Sequence, residues 1–176
     1  MAKPNGNNLK LAMQRQGRLT EETTDLLHSV GLAFESGKEK LFTTCRNFPL
    51  EILFGRDDDI PEYVEEGIVD LGIVGRNLIF EEDPKVAELL ELGYGYCSVV
   101  VAVPKDSPMK TPADLAGKKI ATSYPNSARK YFGEKGIPVE IVHLSGSVEI
   151  ATGLGIASGI VEITATGSSL RLNELR

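Results

Sequence analysis

The strongest constraint on this 176-residue chain is a repeated alternation. A short apolar run, a polar or glycine turn, an amphipathic stretch and a second glycine follow one another along its length. The run LKLAMQ (9–14) reads as a strand that ends at Gln16, Gly17 and Arg18. Residues 19–30 then place Leu19, Leu26, Leu27 and Val30 at mostly helical spacing, with Gly31 as the stop. LFTTC (41–45) and PLEILFG (49–55) read as strands. DDDIPEYVEEG (57–67) opens a helix with acids in its first turn, where they suit the helix dipole, and Gly67 closes it. IVDLGIVG (68–75) reads as another buried strand, and a short acidic helix follows. GYCSVVVAVP (95–104) is expected to be the longest apolar strand.

A second block repeats the logic. Residues 111–117 form a short helix, KKIATSYP (118–125) a strand with a polar end, and residues 126–135 a helix stopped by Gly136. VEIVHLSG (139–146) is a strand, Ser147 opens the next helical stretch with Glu149 in its first turn, and GIVEITATG (159–167) is the last strand. Strand–helix alternation of this kind predicts an α/β fold with mostly parallel sheets and right-handed crossovers. Two blocks joined near residues 101–105 predict two lobes, 1–102 and 103–176, with a central cleft. No low-complexity linker and no fixed-period repeat interrupts them.

Composition removes several function classes. The net charge of −6 argues against a general nucleic-acid binder, which carries a basic excess. That charge is also segregated. Residues 56–70 hold seven acids and one base, and the remainder is neutral as a whole. Within it, residues 1–20 carry Lys3, Lys10, Arg15 and Arg18 without an acid, and residues 105–135 carry seven bases against three acids. Two basic regions on a neutral background suit small phosphorylated ligands or simply form solvated faces. No apolar run reaches the ~18 residues of a membrane helix, and the start MAKPNGNN lacks the apolar stretch of a signal peptide, so a cytoplasmic protein without membrane contact is expected. Cys45 and Cys97 match no zinc spacing, and their apolar contexts read as buried free thiols. Neither His28 nor His143 has a second imidazole near it, so no metal-binding residues are assigned.

Ligands of open α/β sheets bind outside the carboxyl ends of strands. Several such ends here are small or polar: Gln16-Gly17-Arg18, Gly55-Arg56-Asp57, Gly75-Arg76-Asn77, Ser123-Tyr124 and Ser145-Gly146-Ser147. The last strand end, Glu162-Ile163-Thr164-Ala165-Thr166-Gly167-Ser168-Ser169, sets an acid before a hydroxyl-rich turn. Backbone N–H groups and hydroxyls at such a turn can cradle a phosphate, and the acid can accept hydrogen bonds from ribose hydroxyls. A plain helix cap has the same pattern.

The stretches AMQRQGRL, RDDDIPEYVEEGIVDLGIVGRN, ELLELGYGYC, KKIATSYPNSARKYFGEKGI, LSGSVEIA and the 162–169 turn together resemble the catalytic part of ATP phosphoribosyltransferase, from about residue 9 to 175. The resemblance implies a fold like that of type II periplasmic binding proteins. It also implies the first reaction of histidine biosynthesis: nitrogen 1 of ATP attacks the anomeric carbon of phosphoribosyl pyrophosphate, and pyrophosphate leaves. Mg²⁺ accompanies the substrates. By motif, Thr166, Gly167, Ser168 and Ser169 would hold the donor's 5′-phosphate, and Glu162 would face its ribose hydroxyls. Arg18 would contact the pyrophosphate or triphosphate, Arg56 and Asp57 would line the cleft, and Glu149 and Tyr124 would lie close to the substrates; of these, Arg18, Arg56 and Glu149 are the expected catalytic residues, and Asp57 and Tyr124 bind substrate.

The chain also departs from the family pattern. Glu162 and Ser158 stand where Asp is usual, Ser169 replaces a Thr, and Thr152-Gly153 replace the residues usual after Ala151. A methylene added at Glu162 matters because catalytic geometry responds to shifts of about 1 Å. The family forms dimers and larger assemblies. Some members need a histidyl-tRNA-synthetase-like regulatory subunit, and others carry a C-terminal regulatory domain that binds histidine; the AMQ opening favours the longer form. The family also continues with a strand and helix that return to the first lobe. Lobe 1–102 is therefore expected to lack its usual C-terminal return segment and to expose a sheet edge and apolar surface. The chain would then be a truncated or incompletely represented enzyme, or another chain would supply the cover. The contrasting reading is a non-catalytic bilobal module that binds small anions or nucleotides, because fold does not decide function.

Overall fold

A computed structural model describes residues 8–37 and 39–176; Lys3 and most of the polar start lie outside the described residues. The chain divides into two compact units, Met1–Gly95 and Tyr96–Arg176.

The first unit contains β1 (Leu9–Gln14), α1 (Thr20–Ser29), β2 (Phe42–Thr44), β3 (Leu50–Gly55), α2 (Ile60–Glu65), β4 (Leu71–Ile73) and α3 (Arg76–Glu82). Its sheet has the order β2-β3-β1-β4, with β1 parallel to both β3 and β4 and β2 antiparallel to β3. Alternation along β1 sends Leu11 and Met13 to one face, where they meet Leu27 of α1, Ile52 and Phe54. Ala12 faces the other side and packs with Ile60 of α2 and Val69. The acids Asp57–Asp59 form a 3-10 turn that leads into α2, whose Pro61 lies in the first turn, where no backbone N–H is needed. Gly72 of β4 lets that helix approach: a Cβ there would stand 2.7 Å from Ile60 Cγ2 and 3.0 Å from Val64 Cγ2.

The second unit contains β5 (Ser98–Ala102), β6 (Lys119–Thr122), α4 (Pro125–Glu134), β7 (Glu140–His143), β8 (Gly159–Thr164) and α5 (Ser168–Leu172), with 3-10 turns at Pro112–Leu115 and Val148–Ile150. The sheet order is β5-β8-β6-β7; β6 runs parallel to β7 and β8, and β5 antiparallel to β8. One face packs Ile120 and Val161 against Leu115, Ala128 and Phe132. The other packs Ala121 and Ile160 against Val148, Ala151, Leu170 and Leu175. The last residues join this core: Leu175 is buried, Val103 and Arg176 exchange backbone hydrogen bonds, and the Arg176 guanidinium donates to the carbonyls of Lys105, Ser107 and Met109.

Both sheets are thus α/β and mixed, each with an antiparallel edge strand. The apolar run after Gly95 yields a strand of five residues, shorter than the six of β1, β3 and β8. It is an edge strand of the second sheet, pairing Ser98–Ala102 with Ile160–Thr164, although residues 1–102 were expected in the first lobe. Val100 and Val101 pack against the two cores of that unit. The helical stretch expected from Ser147 is a single 3-10 turn, preceded by Ser147 itself in left-handed backbone at φ +51°. Cys45 is buried as expected, but Cys97 is only half-buried, because it precedes an edge strand.

Candidate active site

In each unit the parallel strands end at one edge of the sheet. In the first, Gln14 lies opposite Gly55 and Met13 opposite Ile73, so the loops after β1, β3 and β4 leave from the same edge. These loops carry Arg18, Arg56 and Asp57.

The loop after β1 is organised by Gln14. This side chain is buried, and its Oε1 accepts a hydrogen bond from Leu19 N–H at 3.1 Å, while the Gln14 main-chain carbonyl accepts one from the Thr20 hydroxyl at 3.2 Å. Gln14 thereby satisfies a backbone donor at the start of α1, where no side chain caps locally. Gly17 sits above it at φ +146°, and any Cβ there would run into the Gln14 amide. The turn presents Arg18 to solvent, and one of its guanidinium N–H groups donates to the Gly95 carbonyl. Gly95 has φ +67°, and a side chain on it would collide with Leu19. Gly75 lies on the other side, its Cβ position 3.7 Å from Arg18 Nη2. A Cβ at either glycine would make only ordinary contact with the guanidinium; the close approaches at Gly75 and Gly95 are to Asn77 and Leu19. Arg56 is exposed and paired with Asp58 at 3.2 Å, and Asp57 is half-buried in the 3-10 turn.

In the second unit Thr122 lies opposite both His143 and Val161, and β8 runs on to Thr164. Tyr124 follows β6 at the start of α4, with its N–H donating to Thr122 Oγ1 at 2.8 Å. The turn after β8 is held by its own hydroxyls. Thr164 Oγ1 accepts from Gly167 N–H at 2.7 Å, and Thr166 Oγ1 lies 2.7 Å from Ser168 Oγ. Gly167 adopts φ +72°, and Thr166, Ser168 and Ser169 are exposed.

Glu162 shares the face of β8 that carries Ile160, and the turn containing Glu149 packs against that strand. Burial is the main reason that its carboxyl titrates at about 7. The negative charge of Glu149 pushes the same way, and a hydrogen bond from Ile163 N–H at 2.8 Å opposes it. Near neutral pH this carboxyl therefore exchanges a proton readily, and two acids share one region of the site. An open depression of about 480 Å³ is lined by Glu149, Thr152 and Asn173 among others, but by none of Glu162 and Thr166–Ser169.

Each expected residue is thus found at a strand end or the turn beside it, Arg18, Arg56 and Asp57 in one unit and Glu149, Tyr124, Glu162 and Thr166–Ser169 in the other. Ser158 is different. It lies just before Gly159, at the opposite end of β8 from the turn, with its N–H on the Lys119 carbonyl. That departure bears on the sheet rather than on the phosphate loop. Sequence reading passed over Gln14, Gly95 and Arg171, and named Gly75 and Thr164 only as members of polar strand ends. A charged residue four positions after the Gly167 turn was the available signal for Arg171. Among the described residues no group of three or more His, Cys, Asp or Glu is placed to hold a metal ion, and no helix is long and apolar enough to cross a membrane.

Comparison with known proteins decides the family. The family model HisG, ATP phosphoribosyltransferase, matches residues 56–176. The chain belongs to the ATP phosphoribosyltransferase family. Curated ATP phosphoribosyltransferases from Cytophaga hutchinsonii and Parabacteroides distasonis are 45% and 43% identical to it over 168 residues, which cover 96% of this chain and 59% of each relative. The chain therefore spans about three fifths of the length of the curated relatives it matches. Among solved structures, the ATP phosphoribosyl transferase (HisG:HisZ) complex from Thermotoga maritima aligns with a TM-score of 0.78 at 30% identity, covering 96% of this chain and 80% of that one. The alkanesulfonate-binding protein SsuA from Xanthomonas axonopodis aligns with a TM-score of 0.60 at 19% identity over 99% of this chain and 61% of its own, which shows the shared type II binding-protein fold alone.

Proposed function

We propose that the chain catalyses, or forms the catalytic part of a protein that catalyses, phosphoribosyl transfer from phosphoribosyl pyrophosphate to nitrogen 1 of ATP, giving phosphoribosyl-ATP and pyrophosphate. This is the first step of histidine biosynthesis. The observation that carries the reading is the segment Glu162–Ser169: it lies inside the region matched to the family, at the carboxyl end of a parallel strand, with hydroxyls and backbone donors turned onto one exposed loop.

The chemistry asks for orientation of two anions and for stabilisation of negative charge on departing pyrophosphate, with cationic character on the ribose between bond breaking and bond making. Residues 166–169 hold the 5′-phosphate. Glu162, when ionised, accepts hydrogen bonds from the ribose hydroxyls, and its negative charge favours the cationic ribose. Arg18 and Arg56 supply positive charge toward the leaving pyrophosphate or the triphosphate, worth several kcal/mol each where water is excluded. Asp57, Tyr124 and Glu149 complete the substrate contacts. Positioning supplies much of the remaining rate, and no covalent nucleophile is required. Mg²⁺ arrives as part of the substrates, bound by their phosphates. We place the protein in the cytoplasm, as a homo-oligomer regulated either by a C-terminal histidine-binding domain, which the AMQ opening favours, or by a histidyl-tRNA-synthetase-like subunit, which the T. maritima HisG:HisZ complex supports.

The test is direct. ATP, phosphoribosyl pyrophosphate and Mg²⁺ are mixed with the protein, alone and with a supplied regulatory subunit, and the absorbance of phosphoribosyl-ATP is followed. Product in either condition supports the transferase. Its absence in both rejects the reading for this chain.

A further inference from the structure

A cation is folded onto the same turn that is proposed to hold the 5′-phosphate. Arg171 lies in α5, and helical side chains lean toward the helix N-terminus, so its guanidinium reaches back over the turn. Nη1 donates to the Thr166 carbonyl at 3.0 Å and Nη2 to Ser168 Oγ at 3.3 Å. Gly167 makes this approach possible, since a Cβ at that position would stand 3.1 Å from Nη1. The exposed bases Lys40, Arg46, Arg56, Arg76, Lys105 and Lys119 each have a carboxylate oxygen within 4.0 Å. Arg171 belongs to none of the ion pairs among the described residues, and the oxygens it touches are neutral. A guanidinium offers five donors, and two are committed here.

We infer that Arg171 is a donor-binding residue whose guanidinium meets the 5′-phosphate on residues 166–169 and selects a phosphate monoester dianion at that subsite. The inference rests on the transferase reading. A phosphate seated on the turn replaces or shares the neutral oxygens that Arg171 holds, giving a charge-assisted, fork-like contact that a lysine reproduces only in part.

The experiment titrates the protein with ribose 5-phosphate and with Mg²⁺-phosphoribosyl pyrophosphate, for the native chain and for Arg171→Gln, Arg171→Lys and Ser168→Ala. Arg171→Gln is expected to weaken both ligands about tenfold or more, with Arg171→Lys in between. Added salt should narrow the gap between native chain and Arg171→Gln, because an exposed charge is screened, whereas a purely structural arginine would leave the gap unchanged. Affinity for ribose 5-phosphate within twofold of native in Arg171→Gln, with Ser168→Ala weakened, overturns the role of Arg171 and leaves the transferase reading standing. A native chain that binds neither ligand overturns both. Unfolding midpoints of the variants serve as the folding control, and the exposed position of Arg171 predicts that they stay near native.

Discussion

At position 162 an acid has to serve two ends. Facing the apolar side of β8 with Glu149 near it, its carboxyl takes up a proton up to about pH 7 instead of the usual 4.5. The consequence for stability has a definite sign. Below about pH 4.5 the group is protonated whether the chain is folded or not, and it changes nothing. From there to about 7 the folded chain keeps a proton that the unfolded chain has released, so stability falls as pH rises; above 7 the cost is constant. The size is on the order of 1–2 kcal/mol, below the full linkage value because the carboxyl retains contact with water. Glu162→Gln should therefore unfold at a higher temperature than the native chain at pH 8 and at the same temperature at pH 4.5, as read by calorimetry. Donor binding should run the other way. An ionised carboxylate is the better acceptor for ribose hydroxyls, so affinity for phosphoribosyl pyrophosphate should rise roughly tenfold between pH 6 and 8, a rise that Glu162→Gln loses. The acid was visible in the sequence, but its titration was not, because desolvation and the Glu149 charge come from residues folded against it.

Elements show the same division between what a local pattern states and what packing adds. The ends of α1, α2 and α4 were legible because Gly31, Gly67 and Gly136 take positive φ where the helices stop. The edge position of β5 was not legible, since a run of valines has the same pattern whether its strand is central or lateral. Nor was the glycine of β4, which reads as a weak strand residue until α2 is seen to lie against it. Gly72→Val should destabilise the first unit by about 1–3 kcal/mol through overpacking against Ile60 and Val64, measured by denaturant unfolding. The turn after β1 rests on a different device, a buried amide that holds the start of α1. Gln14→Ala leaves Leu19 N–H without its acceptor and should cost about 1–3 kcal/mol. It should also loosen Arg18, so hydrogen exchange at residues 15–20 should quicken more than in the strand itself.

At the scale of the whole molecule, charge and topology are organised by the same rule. The excess of acid is gathered on the approach to α2 and its flanks, whereas Arg18 stands in the loop after β1 and Arg171 in the short helix that follows the turn after β8. Each unit buries its own cores on the two faces of its own sheet. The roles proposed for the substrates divide along the same line, the 5′-phosphate and ribose with the second unit and charge on the pyrophosphate with Arg18 of the first. This division predicts a clean separation of binding and turnover. Arg18→Gln removes a guanidinium whose fixed neighbour is the Gly95 carbonyl, while every group assigned to the 5′-phosphate stays in place. Affinity for ribose 5-phosphate, measured by titration, should stay within about twofold, because that ligand has no pyrophosphate for Arg18 to meet. The rate of phosphoribosyl-ATP formation should fall by about 10²-fold or more, the size expected when a donor that stabilises transition-state charge is lost. If Arg18→Gln instead weakens ribose 5-phosphate as strongly as it slows turnover, Arg18 shapes the phosphate subsite, and the proposed division of labour is wrong.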